Sequence, residues 1–160
     1  MPSHQALIDE LLSGLGALRR AVADLTPEQW TARPVAGRWS TLEVVCHLVD
    51  SEQAWCHRMK RVIAEDRPLL IGYDETRFTA ALGYHDRDSA EELELLERQR
   101  RQMAAVLGRL PETAWSRQGV HSERGLVTLA EMVRLESEHV FHHLRHVQDK
   151  RRALGLPVEG

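Results

Sequence analysis

Cysteine is nearly absent from this chain, with Cys46 and Cys56 its only two. Both fall in one helical-looking segment, about 15 Å apart along a helix axis at ~1.5 Å per residue, so they cannot bridge and a disulfide framework is excluded. Long apolar runs are also missing. No stretch approaches the ~18 residues of a transmembrane helix, and the opening MPSHQALIDELLSGL lacks a basic segment followed by an apolar signal core. The expected location is therefore the cytoplasm, with no membrane partner. Nor does one sign of charge dominate: 21 Lys and Arg stand against 24 Asp and Glu, a formal charge of −3. Phosphate binding needs a basic field that is not there, which excludes a nucleic-acid partner. Alternating strand patterns are lacking as well. What remains is a chain of 160 residues, 42% hydrophobic and 28% charged, the balance of one ordinary globular domain spanning residues 1–160. Its one surplus is histidine, nine in all, four of them between 139 and 146.

Leu7, Ile8, Leu11, Leu12, Leu15, Leu18, Val22 and Leu25 recur at three- and four-residue steps, the period of a helix with one buried face, and Ser3 is placed to cap it. Thr26-Pro27-Glu28-Gln29-Trp30 reads as a cap, a proline in the first turn and a short helix. Ser40-Thr41-Leu42-Glu43 is a capping box that opens a second long helix to about residue 64. The stretch from Asp66 to Asp88, broken by Pro68, Gly72 and Gly83, predicts one short helix near Glu75 to Ala81, and its length makes it a candidate wall or lid of a site. Ser89-Ala90-Glu91-Glu92 reads as a second box, opening a helix whose stripe runs from Leu93 to Leu110, where Pro111 ends it. A loop through Arg117, Gly119, His121 and Gly125 leads to a third box, Thr128-Leu129-Ala130-Glu131, and a helix to about Arg152. The sum is an all-α four-helix bundle with a long connection between its second and third helices.

His139 and His143 stand at i and i+4, so their imidazoles rise from neighbouring turns of one face and converge on a single ion. His142 and His146 have the same spacing. On a helical wheel at ~100° per residue with His139 at zero, the apolar face of Leu129, Met132, Val133, Val140, Leu144 and Val147 centres near 90°; His143 falls at about 40°, His146 near −20° and His142 near −60°. The first pair borders the core and the second tilts toward solvent. Two ligands rarely make a tight site, and His47, at the edge of the second helix's apolar stripe beside Val44, Leu48 and Ser51, is the best third. His57 and His85 fit less well, and His121 is a loop residue able to fold over a bundle end. The competing reading of these histidines is a solvated, mildly basic helix end favoured by the macrodipole. Trp30, Trp39, Trp55 and Trp115 read as packing anchors, and the two cysteines as buried small hydrophobes. Asp50 and Ser51 either line the His47 pocket or face water.

The same residues carry a resemblance. Trp39 to Glu52, WSTLEVVCHLVDSE, is similar to the W-S-x-x-E-x-x-x-H-L-x-D-S-E stretch of the DinB/YfiT-like metalloenzyme family. Tyr73-Asp74-Glu75, His121 to Gly125 with Thr128-Leu129, and Glu138 to Leu144 (EHVFHHL) resemble that family's central loop, pre-helix loop and terminal H-x-x-x-H helix, in order. The likeness runs over roughly residues 5 to 150. It implies an up-down-down-up bundle holding one divalent metal, nickel or zinc, on three histidines, which match His47, His139 and His143. His146 departs from the pattern, since many relatives carry glutamine there. The resemblance further implies thiol chemistry, because characterised relatives include S-transferases using bacillithiol or mycothiol and a thiol-dependent isomerase.

Three neutral imidazoles leave a position open on zinc or nickel, where water or a thiol has its pKa lowered. With no cysteine suitably placed, a thiol must arrive as a cosubstrate. Glu136, one turn before His139 and about 60° round toward the core, is the expected catalytic carboxylate, as a partner of an imidazole N–H or a proton acceptor; its alternative role is a surface ion pair with Arg134 or Arg100. The expected function is transfer of a low-molecular-weight thiol to a small electrophile. Hydrolysis by metal-bound water and non-catalytic, stress-related metal binding are its rivals. The expected partners are a small-molecule substrate and a second copy of the chain in a homodimer.

Overall fold

The computed structural model describes residues 3–158. Among the described residues six α-helices form where the caps and apolar periods place them: α1 (His4–Val22), α2 (Pro27–Thr31), α3 (Thr41–Ala64), α4 (Glu75–Ala81), α5 (Ser89–Leu107) and α6 (Leu129–Ala153). Ser3 caps α1 by accepting from the Ala6 N–H. Reciprocal capping boxes open α2 (Thr26 with Gln29), α3 (Ser40 with Glu43) and α6 (Thr128 with Glu131). At α5 the cap differs from the expected Ser89 box. The carboxylate of Asp88 accepts from both Ala90 and Glu91 N–H at 2.9 Å, because an anion one residue earlier satisfies two free donors at the positive end of the helix. The same helix ends at Leu107 with Gly108 as its C-cap, a turn short of Pro111.

The four long helices make a bundle in which α1 and α3 each lie between α5 and α6. Cross-links give the directions. Gly14 of α1 lies against Val140 and Ala21 against Arg151, in the same order along both chains, so α1 and α6 run parallel. Glu52 meets Arg100 and Lys60 meets Gln102, so α3 and α5 are parallel too. Ser51 meets His139 while His47 meets His143, so α3 opposes α6. That is the up-down-down-up order.

Two apolar clusters fill the interior. One, with Leu11, Met59, Met103, Leu129 and Met132, occupies one end; the other, with Leu18, Val45, Leu48, Leu96 and Val147, occupies the opposite end. Between them lies a fully buried ionic layer of Arg100, Glu52 and Glu136. Arg100 donates through Nε to Glu52 Oε2 at 2.8 Å and through Nη1 to the Leu11 carbonyl at 3.0 Å. Among the described residues no helix is long and apolar enough to cross a membrane.

Beside the bundle lies a small three-stranded sheet that the sequence reading did not include. β1 (Leu69–Leu70) runs parallel to β2 (Gln118–His121), and β2 pairs antiparallel with β3 (Gly125–Thr128), in the order β1-β2-β3. Two to four residues are too few for alternation to register in a sequence. The strands form because the long α3–α5 connection passes the hairpin before α6 and hydrogen-bonds to it. This seam is tight at Gly119, where a Cβ would sit 2.6 Å from Leu70 Cδ1 and 2.9 Å from Val62 Cγ2. Gly119→Ala is therefore expected to lower stability by about 1–3 kcal/mol through overpacking, read as a shifted urea midpoint; an unchanged midpoint would show that the seam yields freely.

Candidate metal centre

α3 and α6 cross with His47 facing His139 and His143. His47 is 1% exposed and His143 9%, while the His139 side chain keeps 23% of its surface open. The three imidazoles point the same nitrogen inward: His139 Nε2 lies 3.1 Å from His47 Nε2 and 3.0 Å from His143 Nε2. Among the described residues this is the one group of three metal-type donors brought within 4.8 Å of one another. Bonds of ~2.0–2.1 Å to one ion place neighbouring nitrogens roughly 3 Å apart, so the cluster has the size a single transition-metal ion requires.

Electrostatics favour the same use. Burial pulls the His47 and His139 pKa values down to about 4, His47 with further repulsion from His139. Burial together with neighbouring imidazoles takes His143 down to about 2. All three are then neutral near pH 7, the state in which imidazole binds a metal.

Surrounding groups fix the rings. Trp39, half-buried before α3, stacks on His143 at 6.4 Å and lies tilted over His47 at 5.0 Å. His139 Nδ1 lies 3.4 Å from Ser51 Oγ, and Tyr73 of the long connection lines the neighbouring cavity beside His139. Ser51 therefore lines the histidine site, whereas Asp50 accepts from Tyr84 Oη at 2.7 Å and from Arg87, fastening the connection to α3.

Glu136 takes a different position from a surface ion pair. It is fully buried, its Oε1 is 3.4 Å from Arg100 Nη2 and 3.9 Å from His139 Nδ1, and Arg134 pairs with Glu138 instead. Walled off from solvent, Glu136 faces the rear of His139 and is placed to position that ring. The carboxylate that reaches the inward nitrogens is Glu75, at the first turn of α4, with Oε2 3.7 Å from His47 Nε2 and a side chain 59% exposed. Sequence reasoning left it unassigned. The signal was there, in a long irregular connection with a capped acidic turn, but only folding brings residue 75 over residue 47.

The other histidines stay outside. His142 is exposed and pairs with His146 through Nε2 atoms 3.2 Å apart. His85 lies 3.0 Å from Glu43. His121 is a buried residue of β2, rather than a loop, and stacks on Trp55 at 6.1 Å. Both cysteines are buried, and desolvation raises both thiols, Cys46 to about 12.

Comparison with known proteins gives a consistent set of relatives. Residues 10–147 match the family model described as the DinB superfamily. A protein of Oceanobacillus iheyensis named "Putative metal-dependent hydrolase" is 28% identical over 130 residues, covering 81% of this chain and 75% of its own length. The solved structure of YfiT from Bacillus subtilis, described as having an unusual four-helix bundle topology, superposes with a TM-score of 0.90 at 26% identity, covering 96% of this chain and 89% of that one. A mycothiol-dependent maleylpyruvate isomerase shares the fold, with a TM-score of 0.74 at 16% identity over 91% of this chain and 61% of its own.

Proposed function

The chain belongs to the DinB superfamily, and from that premise we propose that it is a divalent-metal-dependent enzyme joining a low-molecular-weight thiol to a small electrophile. The observation that carries the reading is a neutral three-imidazole cluster with Glu75 at its open side, in a protein whose own thiols are buried and held protonated. The residues to hold the metal are His47, His139 and His143, a donor set suited to zinc or nickel. When bound, such an ion supplies a Lewis acid that lowers the pKa of a thiol or water.

The chain's own groups do the rest. Trp39 shields one side of the imidazoles from water, and Ser51 holds the His139 ring. Glu75 Oε2 accepts the proton of the incoming thiol. Sulfur then bonds to the electrophilic carbon, and the leaving group departs with its bonding pair. Glu136 contributes as a positioning residue behind His139. Hydrolysis is the second reading, favoured by the names of the relatives; there Glu75 takes a proton from water instead.

The test is to mix zinc- or nickel-loaded protein with monochlorobimane and, in turn, bacillithiol, mycothiol, glutathione or coenzyme A. Conjugation that needs both the metal and one of the thiols is expected. Glu75→Gln should retain metal yet slow conjugation by roughly 10²- to 10⁴-fold, the usual worth of a positioned proton acceptor. If no thiol reacts above the metal-free control and esters or amides are cleaved instead, hydrolysis replaces transfer.

A further inference from the structure

On the outer side of His143 a cavity of about 250 Å³ is framed by Arg38, Trp39, Glu75, His146 and Lys150. Its floor is unusual. Lys150 is only 3% exposed, and its ammonium donates to the His146 carbonyl at 3.1 Å, with no carboxylate in ion-pair reach among the described residues. The nearest acids are engaged elsewhere: Glu43 by Arg33 and His85, Asp149 by Arg152. Arg38, exposed at the rim, also has no acidic partner among the described residues. Buried cations are ordinarily paired, and burial here depresses the lysine pKa to about 8. In a chain of net charge −3, two uncompensated cations on one cavity mark a place for an anion.

We propose that this cavity is a carboxylate-binding subsite, in which Lys150 and Arg38 hold the anionic arm of the small molecule whose reacting end meets the three histidines. Glu75, on the wall nearest the cluster, repels an anion there and so directs the charged arm to the Lys150 and Arg38 side. The indole of Trp39 supplies an apolar side for the carbon chain between arm and reacting end. The identity of that reacting end as a thiol rests on the function proposed above; the anion site does not.

Calorimetric titration of zinc-loaded protein with mercaptosuccinate, and with uncharged 1-thioglycerol, tests both parts. Wild-type protein is expected to bind mercaptosuccinate at least ~10-fold more tightly, the scale of hydrogen bonds to a charged group. Lys150→Met with Arg38→Gln should remove that advantage and leave 1-thioglycerol unchanged, and Lys150→Arg, which keeps the charge, should retain it. Equal mercaptosuccinate affinity in wild type and Lys150→Met, with circular dichroism showing both folded, overturns the subsite. If neither thiol binds, thiol transfer fails, and succinate then decides the subsite alone. Succinate binding that Lys150→Met weakens about 10-fold supports it; succinate binding that is absent or unchanged overturns it.

Discussion

Replacing His139 by alanine is expected to reduce affinity for zinc or nickel by more than ~100-fold, beyond the roughly 10- to 100-fold lost when only a partner of a ligand is removed. His139 is the hub of the cluster: both other inward nitrogens are measured against its Nε2, at 3.1 and 3.0 Å, and its Nδ1 side is held by Ser51. Removing it leaves two imidazoles on different helices and no geometric closure. Replacing His142 and His146 together should change affinity by no more than a few-fold. That pair has the same spacing and a similar nitrogen separation, 3.2 Å, but it has no third donor from α3, and the neighbouring Lys150 and Arg38 repel a cation. Competition against a chromophoric chelator, on protein without a histidine tag, measures both. A larger loss from the His142 and His146 pair would move the metal site to the outer face of α6.

The second large effect is expected inside the bundle. Arg100→Met should destabilise the protein by about 3–5 kcal/mol at pH 8, the cost of leaving buried carboxylates without their cation. Glu52 and Glu136 adjoin one another around the guanidinium, and burial raises both pKa values to about 7 despite its attraction. The sign of the pH dependence follows. With folded values above the ordinary 4.5 of glutamate, these groups weaken the native state as pH rises from about 4.5 toward 7. Without Arg100 their folded values rise further, so the penalty continues to grow above pH 7 in the variant after it has levelled off in the wild type. The deficit of Arg100→Met should therefore be smaller at pH 6 than at pH 8. Urea midpoints of metal-free protein at the two pH values measure it, and a deficit independent of pH would show that the carboxyls do not titrate against the arginine.

The bundle and the ligand helix were legible in the sequence because both depend on local periods. A repeat of three and four residues sets which face of a helix is apolar, so the stripe of α6 by itself ranked His139 and His143 toward the core and His142 and His146 toward solvent; His143 is buried and His142 exposed, while His139 and His146 are both half-buried. Capping boxes work over three residues, and Ser40, Thr26 and Thr128 each stood in the right frame. His47 stood out at the edge of the second helix's apolar stripe, and the family likeness matched it again through its place in WSTLEVVCHL. Tertiary structure decided everything that depends on contact between distant segments. Glu136 shares the wheel position of a site residue, yet only the approach of α5 reveals that Arg100 claims it and closes it off from solvent. Glu75 carries no periodic signal, and it becomes part of the site because two-residue β1 hydrogen-bonds to the hairpin before α6 and turns α4 over His47. Lys150 likewise reads as an ordinary basic helix end until the loop bearing Arg38 and Trp39 covers it. Local sequence dictates which way a side chain points along its own helix; which charge it then meets is set by chain segments tens of residues away, whose pairing costs loop-closure entropy and leaves no periodic trace.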